Sequence, residues 1–360
     1  MPCRFLLICF SMMLAQSAYS SQLTPHVYFD SHAFAHSETS SIKQIVVDDF
    51  EGRIFDGGEH SFTHNLWEKG FKYLGLKVAW IYRYDYALDY SQDTAELIYA
   101  DKNGKALDDG RNFEVELHVK HAESKGFKVG YEFSLHSAMN VEIDISYLEA
   151  NHYIDGSLKG DFAVNDNQYS GQLELDYMYD EDDLLERKVS GPKGKGYAID
   201  LAWQWKMSDS TELRGKWTDL LSEIKFDEVP FTSANATSDR VSLDDKGRID
   251  VKPALVGLEG FRNKKFKFPK RVELVLTNQY TPGQYLSARW SRYGEINFGG
   301  VGWDYQLSDT FLAKTAFDLT SKALTLGIEH SYWQFSIISD RFKLSQARTF
   351  GLSISANYLF

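Results

Sequence analysis

The stretch that decides the fold is GLSISANYLF, residues 351–360. Taken in steps of two, Leu352, Ile354, Ala356, Tyr358 and Phe360 fall on one face, with Phe350 just before them. Gly351, Ser353, Ser355 and Asn357 fall on the other. A period of two is the signature of a strand with one apolar side and one polar side.

The same pattern returns along the chain. Leu74, Leu76, Val78, Trp80, Tyr82, Tyr84, Tyr86 and Leu88 alternate with residues that include Lys77, Arg83 and Asp85. Phe113–Val119 alternates with Glu114, Glu116, His118 and Lys120, and Phe127–Leu135 with Lys128, Glu132 and His136. Val141–Tyr147 alternates with Glu142 and Asp144. Further runs lie at Leu173–Tyr179, Tyr197–Trp205, Val272–Leu276, Leu286–Trp290, Val301–Leu307, Phe311–Leu319, Leu324–Ile328 and Trp333–Ile337. Many reach ten residues, which suits a tilted bilayer crossing better than a sandwich strand. The apolar face often carries Tyr or Trp, and 15% of all residues are aromatic, as interfacial girdles require. Only a closed barrel lets strands cross lipid without an unpaired edge. The expected fold is therefore all-β: a transmembrane antiparallel up-and-down barrel of about 16 strands, with 14 to 18 within range.

The N-terminus reads as a secretory leader. Arg4 precedes the apolar run Phe5–Leu14, and Ala18-Tyr19-Ser20 supplies small residues at the two cleavage-site positions. Residues 1–20 are expected to be removed. The two cysteines, Cys3 and Cys9, lie within that segment, so disulfides and thiolate metal sites are not expected in the rest. The net charge is −12 and becomes one unit more negative without the leader, which argues against nucleic acid as a partner. Residues 21–70 form an N-terminal segment, a plug or extra strands, and 71–360 the barrel.

The connections alternate in character. Short polar ones stand at Ser208–Ser210, Thr281–Gly283, Ser308–Thr310 and Asn165–Asn167. The longest run from Tyr179 to Gly194 and over about 222–269, where Pro230, Asn235, Asp244, Asp245 and Gly247 are poor strand formers. Barrels of this kind have short periplasmic turns and long external loops, so 222–269 is expected outside the cell.

The ending resembles the C-terminal signature of Gram-negative outer-membrane proteins, carried here by Leu352, Ile354, Tyr358 and Phe360. That resemblance implies an outer-membrane location and recognition of the last strand by the barrel assembly machinery. The segment GYAIDLAWQWKMSDSTELRGKWTDLLSEIKF (196–226) is similar to a strand–turn–strand unit of fatty-acid-transporter-like and conjugal-transfer TraF-like barrels. It covers about thirty residues and brings no ligand-binding residue with it.

Catalytic motifs are absent: there is no G-x-S-x-G, H-E-x-x-H, phosphate loop or EF-hand loop. No catalytic residue, metal ligand or cofactor is assigned. An outer-membrane hydrolase would draw on His118, His136 or His330, which read more simply as polar residues of the inner face. The acidic run Asp180–Asp183 reads as a solvated loop tip. In RNKKFKFPKR, the residues Lys264, Lys265, Lys267, Lys270 and Arg271 could meet lipopolysaccharide phosphates at the outer rim.

The inward face carries the functional information. Lys77, Arg83, Asp85, Glu114, Glu116, His118, Lys120, Lys128, Glu132, Asp144, Arg289, Lys314 and Asp318 are the candidate pore-lining residues. Two readings stand: charged walls of a water-filled channel, or opposite charges that pair and close the lumen. The first implies a channel or transporter for small solutes. The second implies a structural or assembly component of an envelope apparatus.

Overall fold

A computed structural model describes residues 25–47, 57–165, 168–181, 188–189, 191–238, 241–243, 249–251 and 254–360. The leader lies outside these residues. The first half of the chain forms β1 (His26–Ser37), α1 (Ile42–Val47), β2 (His60–Tyr73), β3 (Leu76–Tyr90), α2 (Gln92–Lys102), β4 (Arg111–His136), β5 (Met139–Asn165), β6 (Gln168–Tyr179) and β7 (Gly194–Lys206). The second half forms β8 (Thr211–Thr237), β9 (Val241–Leu243), β10 (Ile249–Val251), β11 (Ala254–Phe266), β12 (Arg271–Thr281), β13 (Gln284–Tyr293), β14 (Ile296–Gln306), β15 (Phe311–Asp318), β16 (Leu324–His330), β17 (Trp333–Ser339) and β18 (Thr349–Leu359).

Fourteen strands close a ring: β1 to β5, β7, β8, and β12 to β18. All neighbours are antiparallel, and the ring closes where β1 pairs with β18 from His26↔Leu359 to His36↔Thr349. β6 and β11 belong to the same sheet but stand off the ring. β9 and β10 form a separate two-stranded ribbon.

The ring differs from the sequence reading at both ends of the count. β1 and β2 come from the segment expected as a plug or extra strands, and both are wall. Fewer strands follow because β4, β5 and β8 run 26, 27 and 27 residues each. The runs Phe113–Val119 and Phe127–Leu135 are one strand, not two. Gly126 between them is not a turn: it lets β4 lie against the Tyr147 backbone of β5, where a Cβ would strike the Tyr147 carbonyl oxygen.

Each long strand has two pairing zones. The first part of β5 pairs with β7 (Met139↔Trp205 to Ala150↔Gly194), the rest with β6 (Ile154↔Tyr179 to Asn165↔Gln168). β8 pairs with β12 at Thr211–Thr218, and farther along with β11 and β6. β4, β5, β6, β8 and β11 thus carry the sheet past one end of the ring. Most of 222–269, expected as a loop, is strand. Pro230 is accommodated beside a bulge between Arg262 and Lys264, where the Glu228 N–H is taken by the Asn263 side chain at 3.0 Å.

The connections sort by end. The strands meet through short turns at 74–75, 137–138, 207–210, 282–283, 307–310 and 331–332 on one side, here the turn end. At Leu74-Gly75 both residues have positive φ (53° and 80°), as a two-residue hairpin with right-handed twist demands. The longer connections, the two-residue turn at 294–295 and α1 and α2 lie at the opposite, loop end. β5 ends and β6 begins on that side too, because β5 has already crossed the ring before it meets β6; 166–167 of the expected Asn165–Asn167 turn lie outside the described residues. α2 starts at the Ser91 cap and packs on the first residues of β4, burying Phe113 and Val115.

The outward face is apolar. On β3 to β7, Phe127, Val129, Ile143, Ile145, Tyr147 and Tyr197 are exposed to the surroundings; elsewhere so are Leu286, Val301, Trp303, Leu326 and Phe335. Tyr73, Trp205, Tyr280, Tyr305, Trp333, Tyr358 and Phe360 gather near the turn end. A closed wall with such a belt and aromatic girdle is that of an outer-membrane β-barrel.

Candidate functional site: the barrel lumen

The inward residues of β3 show the character of the lumen. Lys77, Ala79, Ile81, Arg83 and Asp85 are all buried, while Trp80, Tyr82 and Tyr84 between them face outward. On this half of the ring, side chains fill the interior.

Two ionic clusters and an apolar core make up the filling. In the first cluster Lys77 bonds Glu142 and Asp144 and stands 3.5 Å from Glu68. Lys128 bonds Glu68 at 2.8 Å and Asp200 at 3.2 Å. Lys72 bonds Glu142 at 3.1 Å, and the Tyr28 hydroxyl donates to Glu68. In the second cluster Arg83 makes a two-pronged contact with Asp219 (2.7 and 2.9 Å) and a further one with Asp85 at 3.0 Å. Arg271 reaches Asp219 at 3.0 Å, and His64 reaches Asp85 at 2.8 Å. Asp200 joins the clusters, because its second oxygen accepts the Asp219 N–H at 2.8 Å.

Asp219 is positioned by the backbone. It is a non-glycine residue with φ of 60° inside β8, where the β7–β8 register shifts between Ile199 and Leu201. Aspartate tolerates the left-handed region better than most residues. The kink turns a side chain that strict alternation would send outward into the lumen, where it is fully buried between two guanidinium groups. Towards the loop end, Arg83 lies over the Phe268 ring at 3.9 Å. There Ile81, Leu148, Tyr153, Ile224, Phe226, Phe266 and Phe268 pack into one apolar core.

The other half of the interior, bounded by β12 to β18, β1 and β2, is hollow. A cavity of about 670 Å³ runs along it. The reason is local: the inward positions there are small, with Ser287, Ser291, Gly300, Gly302, Ala316, Ser336, Gly351, Ser353 and Ser355 on its wall. Phe34, Phe62, Tyr293 and Phe298 form its aromatic part. Phe62 and Tyr293 stack at 3.8 Å, and Phe298 meets Phe34 edge-on at 5.8 Å. Three buried polar atoms on cavity-lining residues have no hydrogen-bond partner, the Arg271 Nε, the Tyr293 hydroxyl and the Asp144 Oδ1.

The expected pore residues separate accordingly. Lys77, Lys128, Asp144, Arg289 and Asp318 border the cavity. Arg83 and Asp85 point inward but are consumed in the filled half. Lys314 pairs with Glu329 across β15 and β16 at 2.8 Å. Glu132 lies near the turn end, next to the Gly75 turn. Glu114 and Glu116 are not at the lumen: β3 ends at Tyr90↔Leu117, and β4 before that residue stands beyond the ring. His118 and Lys120 pair with Asp89 and Ala87 at the rim.

Of the basic run, Lys265, Lys267 and Lys270 are exposed. Lys264 is tied to Asp155 at 2.9 Å, Lys270 stands at the start of β12, and Arg271 is inside the barrel. Alternation along one strand does not reveal this, because the chain leaves β11 and turns inward at Phe266 and Phe268. Asp180 accepts from the Tyr153 N–H and His152 (3.0 and 2.7 Å), while the acidic run from Asp182 lies outside the described residues. His136 meets only neighbouring turn residues, and His330 stacks on Trp333. Two other histidines do meet hydroxyls, His32 with Ser353 and His36 with Thr349, each at 2.8 Å. Both are directly opposed pairs of the β1–β18 seam, and neither ring is held by a carboxylate on its second nitrogen among the described residues.

No protein-family model matches the chain, and no curated protein is similar to it in sequence. Three solved structures are similar in architecture. The toluene transporter TbuX of Ralstonia pickettii is 9% identical, with a TM-score of 0.45 over 97% of this chain and 92% of that one. The toluene transporter TodX of Pseudomonas putida is 8% identical, with a TM-score of 0.44 over 96% and 90%. A FadL homologue of Pseudomonas aeruginosa is 10% identical, with a TM-score of 0.36 over 95% and 91%.

Proposed function

We propose that the protein is a passage for small amphiphilic solutes, and that the path runs through the hollow half of the barrel. One observation carries this: the cavity brings two unpartnered donors, Arg271 Nε and Tyr293 hydroxyl, into the same space as the Phe34–Phe62–Phe298 rings. An unpaired buried donor favours a ligand that supplies an acceptor. The volume falls within the range of small-molecule sites. A solute with an acidic or carbonyl head and a compact apolar body fits both surfaces. Lys77, Lys128, Asp144, Arg289 and Asp318 set the charge along the way.

Delivery follows the reading of the chain. The leader 1–20 directs export, and Leu352, Ile354, Tyr358 and Phe360 present the last strand to the barrel assembly machinery. The loop end then faces outside.

Uptake into proteoliposomes tests the path. Wild-type protein should admit a small aromatic acid, and Tyr293→Phe should slow it several-fold while leaving a neutral aromatic hydrocarbon of equal size unchanged. If wild-type protein admits neither, the second reading holds, a structural barrel. That reading draws on the ionic clusters and apolar core of the filled half.

A further inference from the structure

The outward face at the loop end carries a feature that the passage does not use. Lys195 of β7, Lys225 of β8 and Lys265 of β11 are directly opposed in register, Lys195↔Lys225 and Lys225↔Lys265. Their side chains are 69%, 64% and 65% exposed. Like charges directly opposed across strands repel, so the row is unfavourable by itself. Its acidic neighbours are few: Glu223 lies 3.6 Å from Lys225 and 3.4 Å from Lys265, and Glu149 lies 4.0 Å from Lys195.

The row sits at the border of the apolar belt. One step below it come Tyr147, Tyr197 and Glu223, the acid shared by Lys225 and Lys265, and one step further Ile145, Ile199 and Leu221. A ligand that meets both the row and the belt has a negative head and hydrocarbon chains. Across three strands the ammonium groups span about 10 Å. That is wider than a single phosphodiester and suits two phosphates carried at opposite ends of a disaccharide headgroup.

We propose that Lys195, Lys225 and Lys265 form a docking site for a bis-phosphorylated disaccharide glycolipid of the leaflet at the loop end. The proposal rests on the barrel lying in a membrane and is independent of what passes through the lumen. Each lysine contributes a charge-assisted contact to phosphate, and the acyl chains lie on Ile199 and Leu221.

Native mass spectrometry of the purified barrel in detergent tests it, with lipid A as the probe. Wild-type protein should retain lipid A in preference to dephosphorylated lipid A and to phosphatidylglycerol. The triple variant Lys195→Gln, Lys225→Gln, Lys265→Gln should bind about a hundredfold more weakly, and Lys225→Gln alone about fivefold. Lys264→Gln, whose partner is Asp155, should bind as wild type does. Heat-modifiable gel mobility confirms that each variant is folded. Unchanged affinity in the folded single and triple variants would overturn the site. Equal retention of phosphatidylglycerol or of the dephosphorylated lipid would overturn the assignment to a bis-phosphorylated glycolipid.

Discussion

Asp219 ties the second ionic cluster of the interior together. It binds Arg83 and Arg271 and donates its N–H to Asp200. Removing a partner from a buried ion pair costs about 3–5 kcal/mol, because the remaining charge stays buried. Asp219→Ala should therefore lower the denaturant midpoint sharply, and Asp85→Asn should do so to a smaller extent, since Arg83 keeps its two-pronged contact with Asp219. If Asp85→Asn changed ion selectivity with no loss of stability, water would have to fill the half described as packed. The outward residues of the same region give a second prediction. Tyr82 is level with Lys125, at the edge of the apolar belt, so an arginine there should cost about 0–1 kcal/mol. Val129, between Val78 and Ile145, is at mid-belt, and Val129→Arg should cost about 2–4 kcal/mol. Equal costs at the two positions would place the belt elsewhere. The side to which each residue points was legible from alternation. Depth was not, because it depends on how far each strand is slid against its neighbours.

At the level of elements, the strands were legible and their continuity was not. Gly126 and Pro230 look like interruptions in sequence, yet one is a point of close strand approach and the other sits beside a bulge. Gly126→Val should push β4 from β5 and reduce the heat-modifiable folded form, whereas Gly299→Val, with open space around it, should leave that form unchanged. The sorting of turns and loops by end was legible from their chemistry, except at the two-residue turn 294–295, which lies among the loops, and between β5 and β6, where a strand of double length reversed the parity. Orientation can be checked with single cysteines, since both native cysteines, Cys3 and Cys9, lie within residues 1–20. Asp108→Cys at the loop end should react with an impermeant maleimide on intact cells, and Asp209→Cys at the turn end only after lysis. The opposite result would invert the barrel.

For the molecule as a whole, the division of the lumen is the main finding that sequence did not disclose. Inward charges were visible on many strands, but their pairing joins β2, β3, β4, β5 and β7, and no local pattern encodes which will meet. The hollow half was visible only as a run of small inward residues, Gly351, Ser353 and Ser355 among them, which read equally well as ordinary polar alternation. In planar bilayers the passage reading expects a small conductance that grows when Phe62→Ala thins the aromatic cluster. No change on removing that ring would separate the cluster from the path.

The β1–β18 seam also governs how the protein is made. Its partners, such as His26 and Leu359, are among the most distant pairs in the chain, yet loop-closure entropy rises only slowly with length, by about 0.6 kcal/mol per doubling. The burden is kinetic instead. Non-local pairing slows folding, and until eleven residue pairs zip together both strands present bare edges to their surroundings. The nascent barrel is thus an open sheet ready to pair with any other strand, including one from a second unfinished copy. The two histidine–hydroxyl contacts act as registration marks for the last step: a slip by one residue would turn His32 and His36 into the lipid and deny both rings their partners. Mis-registered closure is thereby selected against at the moment of joining.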